Sequence, residues 1–237
     1  MERAPGAPVQ FVSAIVVAGG SGERMGSEVE KPFIEILGVP MLFYSMQAIQ
    51  DCEDISEMVL VVFKGGEERL DAAGGVARFP KLTAIVEGGP RRQDSVFNGL
   101  AACDDRAEIV AVHDAARPML RKEWLNSGIN ALGDCAGAIF AAPLTDTIKR
   151  SSPEGIVLET VPRDGLYAIQ TPQIFTRDWL FRAHSRARLN GTIGTDDAAL
   201  VEEIGGKIKI LPGPPNNLKV TYQDDLLVLK AFLEARK

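Results

Sequence analysis

Short, nearly continuous apolar runs alternate with longer amphipathic stretches along this chain. The runs Phe11–Ala18, Met58–Phe63, Leu82–Glu87, Ile109–His113 and Ala136–Ala142 are rich in Val, Ile, Ala, Met and Phe. A strand covered on both faces carries that pattern, as in a parallel sheet. Between the runs lie helix candidates: Met41–Gln50, Glu67–Ala73, Asp94–Cys103 and Lys122–Leu132. The alternating order predicts an α/β fold with a doubly wound, mostly parallel sheet. Ligands in such sheets bind beyond the carboxyl ends of the strands. The residues after each strand are therefore the first candidates for chemistry.

The rhythm breaks after Pro143. Thr147–Arg150 and Ile156–Val161 are β-prone runs around Ser151-Ser152-Pro153-Glu154-Gly155. That composition predicts a hairpin. A hairpin is marginal alone, so residues 145–163 read as a protruding arm, most economically buried by a second subunit. Thr176–Leu189 and Asp196–Ile204 read as helices, the second with Thr195 ahead of it and two aspartates in its first turn. Ile208–Leu211 and Leu218–Val220 read as short strands split by a Pro-Gly-Pro-Pro-Asn-Asn loop. A last helix is expected to begin near Thr221, with Asp224 placed as in a capping box. No repeat and no linker divides residues 1–237, which predicts one domain with the arm inside it.

Composition narrows the classes. The 237 residues are 46% hydrophobic and 24% charged, with a net charge of −6. That balance fits a globular protein and argues against non-specific wrapping of nucleic acid. No apolar run approaches the roughly 18 residues of a membrane span, and residues 1–10 lack the apolar core of a secretory signal. Cys52, Cys103 and Cys135 are odd in number and far apart. They read as buried thiols in a reducing compartment, which predicts a cytoplasmic location. With acidic overall charge, any anion site must gather its positive charge locally.

Three clusters do so, each after a strand. Ala18-Gly19-Gly20-Ser21-Gly22-Glu23-Arg24-Met25-Gly26 follows the first, with Lys31 seven residues beyond Arg24. Glycines let backbone N–H groups close around phosphate oxygens. The run lacks the Lys of a Walker loop, and its third glycine falls one residue late for a dinucleotide fingerprint. Arg and Lys after a glycine loop suit a triphosphate that gains charge density during transfer. Gly88-Gly89-Pro90-Arg91-Arg92-Gln93-Asp94-Ser95 follows the third strand, and His113-Asp114-Ala115-Ala116-Arg117-Pro118 the fourth. Taken singly, these fit tight turns, solvated cations or a local ion pair. Following the first, third and fourth strands, they are expected to converge on one rim.

These residues resemble a known family. The glycine loop followed by Lys31-Pro32 is similar to the nucleotidyltransferase signature of sugar-phosphate transferases. His113-Asp114-Ala115-Ala116-Arg117-Pro118, Thr171-Pro172-Gln173, Thr195-Asp196-Asp197 and Asn217-Leu218-Lys219-Val220-Thr221 narrow it to the 2-C-methyl-D-erythritol 4-phosphate cytidylyltransferases, from about Ser13 to Ala235. The resemblance implies a Rossmann-like nucleotidyltransferase sheet and cytidylyl transfer from CTP to a sugar-alcohol phosphate in non-mevalonate isoprenoid synthesis. It implies that Ala18, Gly19, Gly20, Ser21, Gly22, Gly89, Arg92 and Ser95 bind CTP. Arg24, Lys31 and Lys219 would act on the reacting phosphates. Asp114, Arg117, Thr171, Thr195 and Lys219 would line the methylerythritol phosphate pocket. Thr147 and the catalytic Arg163 would reach across a homodimer. Glu28-Val29-Glu30 and Pro90-Arg91 depart from the usual wording.

The expected reaction is in-line attack by a phosphate on the α-phosphorus, with Mg²⁺ held mainly through the CTP phosphates and no protein metal site. Two alternatives stay open from the residues: transfer to a pentitol or other sugar phosphate, and a nucleotide-binding regulatory module without turnover. Neither membrane nor nucleic acid is an expected partner.

Overall fold

The structure, a computed structural model, describes residues 10–19 and 30–235. In chain order, β1 (Val12–Ala18) is followed by a 3-10 turn (Lys31–Phe33) and a small ribbon of β2 (Glu35–Ile36) and β3 (Val39–Pro40). Then come α1 (Met41–Gln50), β4 (Glu57–Val62), α2 (Gly66–Ala72), α3 (Gly75–Arg78), β5 (Leu82–Glu87), α4 (Arg92–Ala101), β6 (Ile109–Asp114), α5 (Lys122–Ala131) and β7 (Gly137–Pro143). The chain continues through β8 (Ile148–Ser151), β9 (Val157–Val161), β10 (Tyr167–Thr176), α6 (Arg177–Asn190), α7 (Asp197–Glu203), β11 (Ile208–Pro212) and α8 (Asp224–Glu234). The main sheet has the order β11-β7-β10-β6-β1-β4-β5. β5, β4, β1 and β6 are mutually parallel, β11 pairs parallel with β7, and β10 runs antiparallel between β6 and β7. This is the doubly wound, mostly parallel sheet that the pattern predicts.

Strand alternation sorts the core into two layers. Val12, Ala14, Val16 and Ala18 of β1 join Leu42, Met46 and Ile49 of α1, Leu70 of α2 and Leu125 of α5 on one face. Ile15 of β1, with Val59 and Val61 of β4, meets Val96 and Leu100 of α4, Leu180 of α6 and Leu200 of α7 on the other. Fully burying a side chain of this size contributes roughly 1.5–3 kcal/mol, so the paired layers dominate the stability. A third cluster ties Ile36, Met41 and Met119 to Val220, Leu229 and Leu233, docking α8 beside the ribbon. At the amino end of the sheet, the buried Glu57 carboxylate accepts from Ser13 Oγ at 2.5 Å, the Asp104 N–H at 2.7 Å and Thr83 Oγ1 at 2.8 Å. Those bonds join β1, β4 and β5.

Four details depart from the sequence reading. β10 is a ten-residue strand where no strand is expected, because Gln170-Thr171-Pro172-Gln173 breaks the apolar run. The pairing with β7 shifts register between Ile169 and Gln173, which absorbs the proline. Leu218–Val220 is not a strand: the Val220 N–H donates to the Ala116 carbonyl, and Lys31 takes the Val220 carbonyl, so no ladder forms. The N-cap of α7 is Asp196, which accepts from the Ala199 N–H at 2.9 Å, and not Thr195. Finally, α8 starts at Asp224, and Asp225 receives the N–H groups of Thr221 and Tyr222. The expected hairpin does form, β8 pairing antiparallel with β9. Ile156, Val157 and Leu158 on it are exposed.

Candidate functional site

β1 lies between β4 and β6, and the chain leaves it first toward β4 and later toward β6. The crevice beyond the carboxyl ends of β1 and β6 is therefore a topological switch point. Asp114, the last residue of β6, stands beside Val17 in that register. Its carboxylate collects two cations: Arg92 Nε donates to Oδ1 at 2.8 Å and Lys219 Nζ to Oδ2 at 2.7 Å. Burial alone would raise the Asp114 pKa, but the Arg92 and Lys219 charges outweigh it and hold the carboxyl far below its ordinary range. Arg92, at the start of α4, also donates through Nη1 to Asp197 Oδ2 at 2.8 Å. It remains firmly protonated, since the two carboxylates overcome the desolvation that opposes its charge.

Behind Asp114 sits a neutral polar cluster. The Asp114 N–H donates to Thr171 Oγ1 at 3.1 Å, and Thr171 Oγ1 lies 3.2 Å from His113 Nδ1. The Arg117 carbonyl that faces Nε2 can only accept, which leaves Nδ1 to accept from the Thr171 hydroxyl. The network thus assigns the His113 proton to Nε2, which faces the Arg117 carbonyl at 3.1 Å and Ser45 Oγ at 3.2 Å. Burial lowers the His113 pKa to about 4, so the ring is neutral at pH 7. Arg117 spans the crevice, donating to the Asn217 carbonyl at 2.6 Å and the Ile169 carbonyl at 3.2 Å. Asn217 is itself held through Nδ2 by Gln170 and the Thr171 carbonyl. Lys31 Nζ donates to the Val220 carbonyl at 3.2 Å, which brings it to the segment that carries Lys219.

On the other side, the turn after β5 folds tightly against the end of β1. Ser95 Oγ accepts the Gly89 N–H and donates to the Arg91 carbonyl, both at 3.1 Å. A Cβ on Gly19 would stand 3.6 Å from Ser95 Oγ and 3.7 Å from Gly88 Cα, so the first and third strand loops meet. The result is a crevice with exposed backbone on one wall and fixed cations on the other. Such an arrangement can hold a polyphosphate and stabilise charge as it shifts. Among the described residues, no group of three or more His, Cys, Asp or Glu side chains is placed to hold a metal ion.

A model of the 2-C-methyl-D-erythritol 4-phosphate cytidylyltransferase family matches residues 12–235. The chain belongs to this family. A cytidylyltransferase of that name from Symbiobacterium thermophilum is 42% identical over 94% of this chain and 93% of its own length. One from Pelotomaculum thermopropionicum is 39% identical over 95% of each. Among solved structures, the 4-diphosphocytidyl-2C-methyl-D-erythritol synthase of Anaerococcus prevotii superposes with a TM-score of 0.83 at 30% identity. The match covers 95% of this chain and 99% of that one. The Thermus thermophilus cytidylyltransferase gives 0.76 at 26% identity, over 93% and 98%.

Within this family fold, Ala18, Gly19, Gly89, Ser95, Lys31, Arg92, Asp114, Arg117, Thr171 and Lys219 all belong to the crevice just described. Gly20, Ser21, Gly22 and Arg24 lie outside the described residues. Thr195 is exposed in the α6–α7 loop, next to the cap residue Asp196. Thr147 and Arg163 are elsewhere, exposed on the arm, where Arg163 donates to the Thr145 carbonyl. Two nitrogens of Arg92 donate to carboxylates, because the start of α4 faces both Asp114 and Asp197. Sequence reasoning overlooked Asp197 and Asn217 as site residues. The first reads as a dipole-complementing helix start and the second as the end of a loop; both fall in motifs that carry the family resemblance, and their burial sets them apart.

Proposed function

We propose that this crevice transfers the cytidylyl group of CTP to 2-C-methyl-D-erythritol 4-phosphate, giving 4-diphosphocytidyl-2-C-methyl-D-erythritol and pyrophosphate for isoprenoid precursor synthesis. One observation carries the reading. Lys219 and Arg92 converge on Asp114, with Lys31 anchored on the adjoining backbone, at the switch point of a chain that matches the family over residues 12–235. The phosphate of the sugar alcohol attacks the α-phosphorus in line. A new P–O bond forms, the bond to the β-phosphate breaks, and pyrophosphate leaves with the electron pair. A phosphate monoester is already anionic at pH 7, so no side chain has to remove a proton. His113 suits that chemistry, being neutral and fully engaged.

The requirement is positive charge beside oxygens that gain it. We assign that to Lys31, Lys219 and Arg24, with the backbone of Ala18 to Gly22 and Gly89, and Ser95, around CTP. Asp114, Arg117, Thr171 and Thr195 are assigned to the polyol phosphate, and Thr147 and Arg163 to the crevice of a second copy. The exposed apolar arm supports a homodimer in which another subunit covers it. Mg²⁺, when bound, would neutralise phosphate charge. Both Asp114 oxygens accept from cations, which fits a metal held through CTP oxygens and water. The three free thiols fit a reducing cytoplasm, and no described helix is long and apolar enough to cross a membrane.

The test is pyrophosphate release from CTP with a panel of sugar and polyol phosphates, beside Lys31→Ala and Lys219→Ala. Turnover is expected with 2-C-methyl-D-erythritol 4-phosphate above pentitol phosphates, and each variant should lower kcat about a hundredfold with a smaller change in KM for CTP. Preference for another acceptor, or kcat untouched by both variants, overturns the assignment.

A further inference from the structure

Arg92 is the centre of a chain of polar and charged side chains that extends well behind the crevice. From the rim inward it runs Lys219, Asp114, Arg92, Asp197, His184, with successive separations of 2.7, 2.8, 2.8 and 3.1 Å. The Asp197 side chain is 1% exposed and that of His184 is fully buried. Removing a carboxylate from water to this extent is costly unless its charge is matched. Here Arg92 matches it and shares its fork with the rim carboxylate.

The neighbouring contacts hold Asp197 in one place. Asp196 caps α7, and Gln173 of β10 clamps the same turn, donating to Asp196 Oδ2 at 2.7 Å and accepting the Ala198 N–H at 3.2 Å. Next to Arg92, Gln93 bridges to the loop before α7, donating to the Thr192 carbonyl and accepting the Gly194 N–H. Two consecutive residues at the start of α4 thus grip the α6–α7 segment. A guanidinium held by a carboxylate on each side has one orientation, whereas one bound only to Asp114 could swing toward any phosphate that entered.

We propose that Asp197 is a positioning residue: it pins the Arg92 fork against Asp114, so that Asp114 is presented to the sugar-alcohol phosphate in a fixed orientation. The inference rests on the transfer reading above, and it assigns Arg92 to ordering the acceptor side. Asp197→Asn keeps the shape and removes the charge.

For Asp197→Asn, KM for 2-C-methyl-D-erythritol 4-phosphate should rise about tenfold while KM for CTP changes less than about twofold. Exchange of the Arg92 Nε–H with solvent, followed by arginine side-chain NMR on the intact protein, should quicken at least about tenfold. An unchanged acceptor KM with unchanged exchange overturns the proposal. In an Arg92→Lys background, Asp197→Asn should add less than about a twofold effect. The same loss in both backgrounds means that Asp197 acts elsewhere, and overturns it too. If Asp197→Asn does not fold, Arg92→Lys alone must show the same split between the two KM values, and its absence is decisive. Should the wild-type protein not turn over CTP with the acceptor, the transfer reading falls while Nε–H exchange still decides the pinning.

Discussion

Asp114 and His113 are neighbours with opposite electrostatic fates. Both are buried, so both pay desolvation when charged. Asp114 has Arg92 and Lys219 on its oxygens and stays ionised. His113 has no carboxylate on its ring, and burial outweighs the nearby Asp114 charge and the Arg117 carbonyl that favour the imidazolium, so its pKa falls to about 4. The sign of the pH effect follows. An unfolded histidine titrates near 6.5, so the contribution of a neutral His113 is complete above pH 6.5 and is lost as pH falls from there to about 4. Between pH 7 and pH 5 this group should cost the fold about 2 kcal/mol. Urea unfolding at the two pH values should show that loss in the wild type and a flatter dependence in His113→Asn. Equal slopes would mean that His113 does not hold its proton off in the folded state.

Among the elements, the turn from β5 into α4 is the most constrained part of the crevice. A Cβ on Gly89 would lie 2.4 Å from Asp94 Cβ and 3.2 Å from the Asp94 carbonyl carbon, so the helix start leaves no room for a side chain there. Relieving such overpacking typically costs about 1–3 kcal/mol. Gly89→Ala should therefore lower Tm by roughly 3–10 °C. It should also raise KM for CTP about tenfold, since the Gly89 N–H is moved off Ser95 and away from the wall assigned to the nucleotide. Calorimetry and initial rates check both, and an unchanged KM would remove Gly89 from the CTP wall. The arm is the contrasting element. Among the described residues its strands pair only with each other, and they leave Ile156, Val157 and Leu158 in solvent, which is why its assigned purpose lies outside its own chain.

At the scale of the whole molecule, the crevice and the arm divide the assigned residues. Thr147 and Arg163 lie on the arm, where Arg163 is tied to the Thr145 carbonyl, whereas Asp114, Lys219 and Lys31 are held at the crevice by one another and by the Val220 carbonyl. If the arm serves a second copy, Arg163→Ala and Lys31→Ala proteins, each nearly inactive, should recover about a quarter of wild-type activity after subunit exchange, because half the dimers would be mixed and each would hold one intact site. Rates unchanged by mixing would place Arg163 in its own chain's site or in none.

Much of this was legible in the order of residues. Runs such as Ile109–Val112 are apolar without a break because the sheet is covered on both faces, so periodicity alone announced the parallel core, and glycines with Arg or Lys after the first and third expected strands marked the rim. β10 was not legible, since Gln170, Thr171, Pro172 and Gln173 look like a loop until β7 pairs with Tyr167–Ile169 before them and β6 and β7 pair with the chain from Gln173 onward. Nor was Asp197, whose charge reads as a helix-start preference. Local sequence determined which segments were strands or helices and which carried charge, because those properties depend on near neighbours. Only the tertiary structure decided that Lys219, on a loop, meets Asp114 directly and that Asp197, on a helix, reaches it through Arg92, because a buried charge chooses its partners by proximity in space.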